Sequence, residues 1–68
     1  MSPTAKQMGM RLRKLRKARK MSQAALAERA GISREYVRKL EAGAQDPTVG
    51  MLTKLAKALG VPVTELLG

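Results

Sequence analysis

Residues 23–40 read QAALAERAGISREYVRKL, and the spacing of small and apolar residues in this stretch decides the fold. Counted from Gln23, Ala27 is the fifth residue and Gly31 is the ninth. Two helices that cross steeply across a tight turn need a small residue at the crossing and a residue that tolerates positive φ in the turn. The other apolar positions would pack the two helices against a hydrophobic core: Leu26, Ala30, Ile32, Val37 and Leu40. An ordinary helical hairpin is the alternative, but seven agreeing positions favour the steeply crossed pair.

Capping residues divide the rest of the chain into further helices. Three N-cap candidates precede helical patterns and three glycines follow them: Ser22, Ser33, Thr48 and Gly31, Gly43, Gly60. These capping residues predict helices over 7–19, 23–30, 34–42, 49–59 and 63–67, after a flexible arm over 1–6. Apolar residues recur at helical spacing in the first and fourth helices: Met8, Leu12, Leu15 and Leu52, Leu55, Ala56, Leu59. We therefore expect one all-α domain over 7–68 with a shared core.

Composition excludes several classes of protein. The 68 residues include no cysteine and no histidine, so disulfides and ordinary Cys/His metal sites are excluded, and we expect no metal, cofactor or catalytic site. No apolar run is long enough to cross a membrane, and residues 1–7 lack the apolar core of a secretory signal. Fourteen lysines and arginines stand against five acidic residues, a formal charge of +9, and residues 1–20 contain no acid. Such an excess indicates nucleic acid or lipid headgroups as partner, with a solvated basic face as the alternative.

Short motifs along most of the chain resemble the Cro/repressor-type helix-turn-helix family, which is typified by lambdoid phage repressors. These motifs are LRKLR at 12–16, MSQ at 21–23, LA at 26–27, GIS at 31–33, LEAG at 40–43, PTV at 47–49 and LAKALGV at 55–61. The resemblance covers about residues 8–67. It implies a compact five-helix lambda-repressor-like DNA-binding domain, which binds operator DNA, usually as a dimer on two half-sites.

The third helix carries the predicted reading surface. With Val37 and Leu40 facing inward, its outer side presents four residues for the base edges of the major groove: Arg34, Glu35, Arg38 and Lys39. An arginine can offer guanine a bidentate fork, worth roughly 1–3 kcal/mol of discrimination. Glu35 could accept from cytosine N4 or pair within the helix with Arg38 or Lys39, and both interpretations stay open.

Four further residues are predicted to contact phosphate: Gln23, Ser22, Tyr36 and Gln45. The resemblance implies that Gln23 touches the DNA backbone, where free amides at the start of its helix would also face phosphate. Tyr36 points sideways, so a phosphate hydrogen bond or packing at the domain edge are its alternatives. Gln45 is assigned by analogy with a loop in which relatives often carry basic residues, whereas this chain has Ala44 and Asp46.

Arg16 and Glu41 are assigned to structure rather than to DNA. Arg16 lies near the edge of the apolar stripe of the first helix, where an unpaired charge would be costly. The resemblance implies that it pairs with Glu41. Lys20 departs from the family pattern, which often places glycine at the end of the first helix, so this helix end must be strained or built differently.

The predicted function is a sequence-specific, double-stranded-DNA-binding transcriptional regulator of a bacterium or phage, acting in the cytoplasm on the nucleoid. Two alternative functions are compatible with the same fold: a toxin-binding antitoxin and a restriction–modification controller. Membrane-surface binding is disfavoured because the first helix lacks aromatic residues, and RNA binding lacks the usual stacking aromatics. We expect a homodimer, because one helix reads few base pairs. Its seam would use the surplus apolar residues of the C-terminal segment: Val61, Val63, Leu66 and Leu67.

Overall fold

The computed structural model describes residues 4–68, which form five α-helices. The helices are α1 Ala5–Ala18, α2 Gln23–Ala30, α3 Arg34–Glu41, α4 Val49–Leu59 and α5 Thr64–Leu67. No strand occurs within residues 4–68, and the predicted five-helix, all-α fold is confirmed. The observed bounds of α2 and α4 coincide with the predicted ones, while α3 ends one residue earlier than predicted and α5 starts one residue later.

The first helix begins earlier than the sequence pattern predicted. Thr4 caps it by accepting a hydrogen bond from the Gln7 amide at 3.1 Å. The Gln7 side chain accepts one in return from the Thr4 amide at 2.9 Å. This capping box satisfies amides that the helix leaves unpaired, so the helix extends back to Ala5. Residues 5 and 6 of the predicted arm are therefore helical, and residues 1–3 lie outside the described residues.

The turn between α2 and α3 is built by two residues with local roles. Gly31 ends α2 in the left-handed conformation at φ 71°, which glycine adopts without steric cost. Two residues later the Ser33 hydroxyl accepts from the Tyr36 amide at 3.0 Å and starts α3. Ser22 and Thr48 cap α2 and α4 in the same way. A cap of this kind contributes about 1 kcal/mol, so the short helices have defined ends.

Lys20 ends α1 in a conformation that suits glycine. Among residues 4–68 it is the one non-glycine residue with positive φ, at 55°. Its amide donates to the Lys17 carbonyl at 2.9 Å, and the Met21 amide donates to the Arg16 carbonyl at 3.1 Å. These two bonds close the helix as a glycine would. Of the two alternatives for this helix end, the structure shows the strained one: Lys20 adopts the conformation that glycine would adopt. The strain costs about 1 kcal/mol.

The core lies where the five helices meet. Helix α3 packs against α1 and α2, α2 packs against α4, and α5 packs against α1 and α4. The most deeply buried large side chains are Leu26, Val37, Leu55 and Leu66. Burying a side chain of this size stabilises the fold by roughly 2 kcal/mol. The α2–α3 pair is therefore supported by α1, which packs against α3, and by α4, which packs against α2.

Gly9 sets how closely α1 approaches α3. It is buried, and a Cβ at this position would overlap the Leu40 carbonyl oxygen and stand 3.0 Å from the Glu41 carbonyl oxygen. Both obstacles are backbone atoms, which cannot rotate away as a side chain would. The two helices can therefore touch at this depth only because residue 9 has no side chain.

Leu66 is a correction to the predicted dimer seam. It is 1% exposed and belongs to the core, because the single turn of α5 directs it toward α1 and α4. Val61 and Val63 are half-buried against the same core, and Leu67 is 40% exposed. The predicted seam thus loses Leu66 and retains the other three residues on the surface.

Candidate nucleic-acid interface

Helix α3 presents a charged outer face. Val37 and Leu40 are buried, while the four residues predicted to read bases are all exposed: Arg34, Glu35, Arg38 and Lys39. Their positions, two neighbouring pairs four residues apart, place them on one side of the helix. The face carries three cations and one carboxylate. It suits a polyanion whose surface also offers hydrogen-bond acceptors, as the major groove does.

Glu35 and Arg38 are paired within α3 through two hydrogen bonds. Arg38 Nε donates to Glu35 Oε1 at 2.7 Å, and Arg38 Nη2 donates to Oε2 at 2.8 Å. The structure thus contains the intrahelical alternative for Glu35. The pair uses one edge of the guanidinium, so both Nη1 hydrogens and the second Nη2 hydrogen stay available. Arg38 therefore keeps an end-on fork that fits guanine O6 and N7 while Glu35 holds its other edge.

The hydrogen bond from Arg38 is the main reason that the pKa of Glu35 lies below its usual 4.5. Desolvation opposes this lowering, and the charges of Arg38, Lys39 and Arg34 add to it. The same hydrogen bond raises the pKa of Arg38. Both groups are therefore ionised at neutral pH, and the face has a net positive charge.

The angle between α3 and the rest of the domain is fixed by an ion pair. Arg16 of α1 donates to Glu41 of α3 through Nε at 2.6 Å and through Nη2 at 3.0 Å. A third bond runs from Arg16 Nη1 to the Met21 carbonyl at 2.7 Å. The two side chains are 9% and 4% exposed. Each of the three guanidinium nitrogens of Arg16 thus donates a hydrogen bond inside the protein, and Arg16 supports the position of α3.

Gln23 joins this network from α2. Its Nε2 donates to Glu41 Oε1 at 3.1 Å, so one carboxylate connects the first residue of α2 with α1 and α3. Sequence reasoning did not find this bond, because the two residues lie 18 positions apart and no local pattern joins them. An amide nitrogen carries two hydrogens, so Gln23 can still donate one outward. Its predicted phosphate contact is compatible with this geometry and stays a prediction.

The other three predicted phosphate contacts lie in different parts of the fold. Ser22 is exposed at the start of α2, where its hydroxyl accepts from the Ala25 amide at 3.0 Å. Tyr36 is half-buried and packs against the core. Of its two predicted roles, the structure therefore contains the packing contact. Gln45 is exposed in the loop between α3 and α4. Ser22 thus lies at the start of α2, where Gln23 is also found, whereas Gln45 belongs to a separate loop.

Metal-binding clusters and membrane-spanning helices were two further possibilities for the part of the chain that the structure describes. Residues 4–68 contain no group of three or more acidic, histidine or cysteine side chains placed to hold a metal ion. No helix in this range is both long and apolar enough to cross a membrane.

A steeply crossed helix pair with a charged second helix on its surface defines a helix-turn-helix protein. The helix-turn-helix family HTH_3 matches residues 12–66, and the chain belongs to this family. It is similar to the immunity repressor protein of Bacillus phage phi105, with 38% identity over 60 residues. The match covers 88% of this chain but 42% of the repressor, so the chain spans less than half of that relative. The resemblance to Cro/repressor-type proteins is confirmed.

Solved structures give the same result for the fold. The restriction-modification controller protein C.AhdI from Aeromonas hydrophila superposes with a TM-score of 0.89 at 39% identity, covering 91% of this chain and 94% of the controller. The master regulator for biofilm formation SinR, solved in complex with DNA, superposes with a TM-score of 0.85 at 34% identity. That match covers 90% of this chain and 98% of the SinR chain.

Proposed function

We propose that this protein is a transcriptional regulator that binds double-stranded DNA sequence-specifically through α3. The observation that carries the proposal is the exposed face of Arg34, Arg38 and Lys39 on a helix whose angle is fixed by the buried Arg16–Glu41 pair. The similar proteins are a phage immunity repressor and regulators, one of them solved with DNA. No catalytic step or cofactor enters this function, and its place of action is nucleoid DNA in the cytoplasm.

In this proposal α3 lies in the major groove with its first turn nearest the bases. Arg34 and Arg38 donate to guanine, and Lys39 donates to an acceptor on a base edge or a nearby phosphate. Glu35 positions Arg38 and can accept from cytosine N4 only when it releases one of its two bonds. Gln23, Ser22, Tyr36 and Gln45 contact phosphates and set the register of the helix, without reading sequence.

The regulator acts as a homodimer on a palindromic operator. One recognition helix covers too few base pairs for useful specificity, and two copies related by a twofold axis double the site. Val61, Val63 and Leu67 remain as the candidate seam, since they are apolar and at least partly exposed. Sedimentation should give a dimer that Leu67→Glu dissociates. Val49→Glu is the matched control, because Val49 is 80% exposed and lies outside the seam. A wild-type monomer at high concentration, with and without DNA, would remove the dimer.

A restriction–modification controller is the particular kind of regulator that one observation favours. The match to C.AhdI covers 91% of this chain at 39% identity, compared with 90% at 34% identity for SinR. The gene neighbourhood separates the candidates, because a controller lies beside a methyltransferase and an endonuclease gene, and an antitoxin lies beside a toxin gene.

Binding to short duplexes at several salt concentrations tests the proposed function. A dimer that neutralises roughly 6–10 phosphates should lose about 10³–10⁵ in affinity between 50 and 200 mM salt. Fluorescence anisotropy of a labelled duplex measures this slope directly. Absence of binding at low salt, or an affinity that does not change with salt, would contradict DNA as the partner.

A further inference from the structure

A second basic surface lies away from α3, where the C-terminal ends of α1, α2 and α4 converge. We call it the basic groove and define it by four exposed cations: Arg19, Arg29, Lys54 and Lys57. It consists of two adjoining recesses of about 260 and 440 Å³, and both are lined by Arg29 and Lys57. Because the two recesses share these cations, they form one continuous surface.

The position of the basic groove separates it from the proposed DNA-reading face. Its lining residues come from α2, from α4 and from the residues that directly follow α1 and α4, and no residue of α3 contributes. On α2 it uses Arg29 and Ala30, at the opposite end of the helix from Gln23. Seven residues of helix place those ends about 10 Å apart. None of the residues proposed to contact the duplex at α3 lines this groove.

The cations of the basic groove exceed what the fold itself requires. Three helices end here, and each helix end carries about −0.5 of an elementary charge, which basic residues complement. The three ends together offset roughly 1.5 charges, whereas the groove carries four cations, and no acidic side chain lines it. Neither of the two ion pairs found within residues 4–68 uses a groove cation. An excess positive charge remains for an external anion.

The shape and lining of the basic groove select a linear polyanion. It is open, four cations line it, and its remaining lining includes the aliphatic side chains of Ala58 and the buried Leu59. The protein's single aromatic residue, Tyr36, does not line it, so a nucleobase would find no stacking partner. A row of backbone phosphates needs only spaced cations.

We propose that the basic groove binds the sugar–phosphate backbone of a second DNA duplex while α3 holds the first. This inference goes beyond the proposed function, in which only α3 and the predicted phosphate contacts around it hold DNA, and it rests on that function for the first duplex. Four cations neutralising four phosphates give a slope of about −3.6 in log affinity against log salt, so a threefold rise in salt weakens binding about 50-fold. One domain can then join two DNA segments.

The test is a nuclear magnetic resonance titration of the full chain with a 12-base-pair duplex at low salt. A duplex of roughly 12 base pairs, about 40 Å long, is too short to bend around the domain and reach both faces. Amide signals of α3 should shift first and saturate, and signals of Arg19, Arg29 and Lys57 should shift in a second phase that needs further duplex. Arg29→Gln/Lys57→Gln should weaken the second phase at least about tenfold and leave the first unchanged.

Two further variants decide between outcomes. Lys14→Gln/Lys17→Gln is the matched control, because it removes the same charge from exposed positions of α1 that do not line the groove. It should keep both phases.

Arg34→Ala/Arg38→Ala should remove the first phase and keep the second, which separates failure of the proposed function from failure of this inference. A single phase involving both faces, no shifts in the groove, or equal loss in the groove and control variants would overturn the inference. So would shifts with inorganic tripolyphosphate but none with duplex.

Discussion

Arg16 and Glu41 form a buried ion pair, with Arg16 Nε 2.6 Å from Glu41 Oε2, and this contact joins α1 to the last residue of α3. Glu41 also accepts from Gln23, so one carboxylate of α3 binds both α1 and α2, next to the surface proposed to face DNA. A buried pair contributes little net stability compared with apolar residues of the same volume, but it is costly to break. We therefore regard it as a device that fixes geometry.

Glu41→Ala should lower the free energy of unfolding by about 3 kcal/mol, because it leaves the Arg16 guanidinium buried without its counter-charge. Urea denaturation monitored by circular dichroism measures the loss. The double variant Arg16→Met/Glu41→Leu is the control, and it should recover most of the stability because it removes both charges. An unchanged unfolding midpoint for Glu41→Ala would show that the pair does not act as described.

Gly9→Ala should destabilise the protein by several kcal/mol or prevent folding, because the new methyl group would overlap the Leu40 carbonyl oxygen. Gly50→Ala is the matched control. It also lies within a helix, and the nearest atom to its new Cβ would be the Thr48 hydroxyl oxygen at 3.9 Å. That variant should gain about 0.5–1 kcal/mol from higher helix propensity. Thermal melts of the two variants should therefore shift in opposite directions, and a shared direction would contradict the packing at Gly9.

Lys20→Gly should stabilise the protein by about 0.5–1 kcal/mol, because glycine adopts the positive φ of this position without strain. Part of the gain is offset by the larger freedom of glycine in the unfolded chain. Lys20→Ala removes the same charge and keeps the strain, so it should leave the unfolding midpoint nearly unchanged. If both variants gave equal stabilisation, relief of charge repulsion would be the cause instead of backbone conformation.

Glu35 should make stability depend weakly on pH in the acid range. Its pKa in the folded protein is lowered, so its pairing with Arg38 contributes fully above the ordinary value of 4.5 and is lost as the pH falls through the lower, folded value. The pair is well exposed, at 55% and 60% for the two side chains, so the effect is small. Carbon-detected magnetic resonance of the Glu35 carboxyl gives its pKa. Arg38→Gln should raise that pKa, and a wild-type value at or above 4.5 would contradict the pairing.

Features with a local signal could be predicted from the sequence. The caps at Ser22, Ser33 and Thr48 and the turn at Gly31 act on neighbouring residues, so the helix-turn-helix and the bounds of α2 and α4 could be placed. The exposed face of α3 followed from helical spacing alone. The start of α1 at Ala5 was missed because the Thr4–Gln7 capping box was overlooked.

Features that depend on contacts between distant helices could not be predicted in the same way. Gly9 faces α3 from 31 residues away, and the only signal in the sequence was a glycine inside a helical pattern, which costs about 1 kcal/mol unless close packing requires it. The prediction for Leu66 was wrong because it rested on a surplus of apolar residues. That count could not show that α5 packs against α1 and α4 and places Leu66 in the core.

Selection of bound sequences from a pool of random duplexes tests the central claim most directly, since it reports sequence preference and half-site symmetry together. The wild-type protein should enrich a palindromic site with guanine at the positions that Arg34 and Arg38 reach, and Arg34→Ala and Arg38→Ala should each flatten preference at one position by roughly 1–3 kcal/mol. Gln23→Ala should weaken all sites alike and keep their ranking. Retention of the wild-type ranking by both arginine variants would contradict the assignment of α3 as the reading surface.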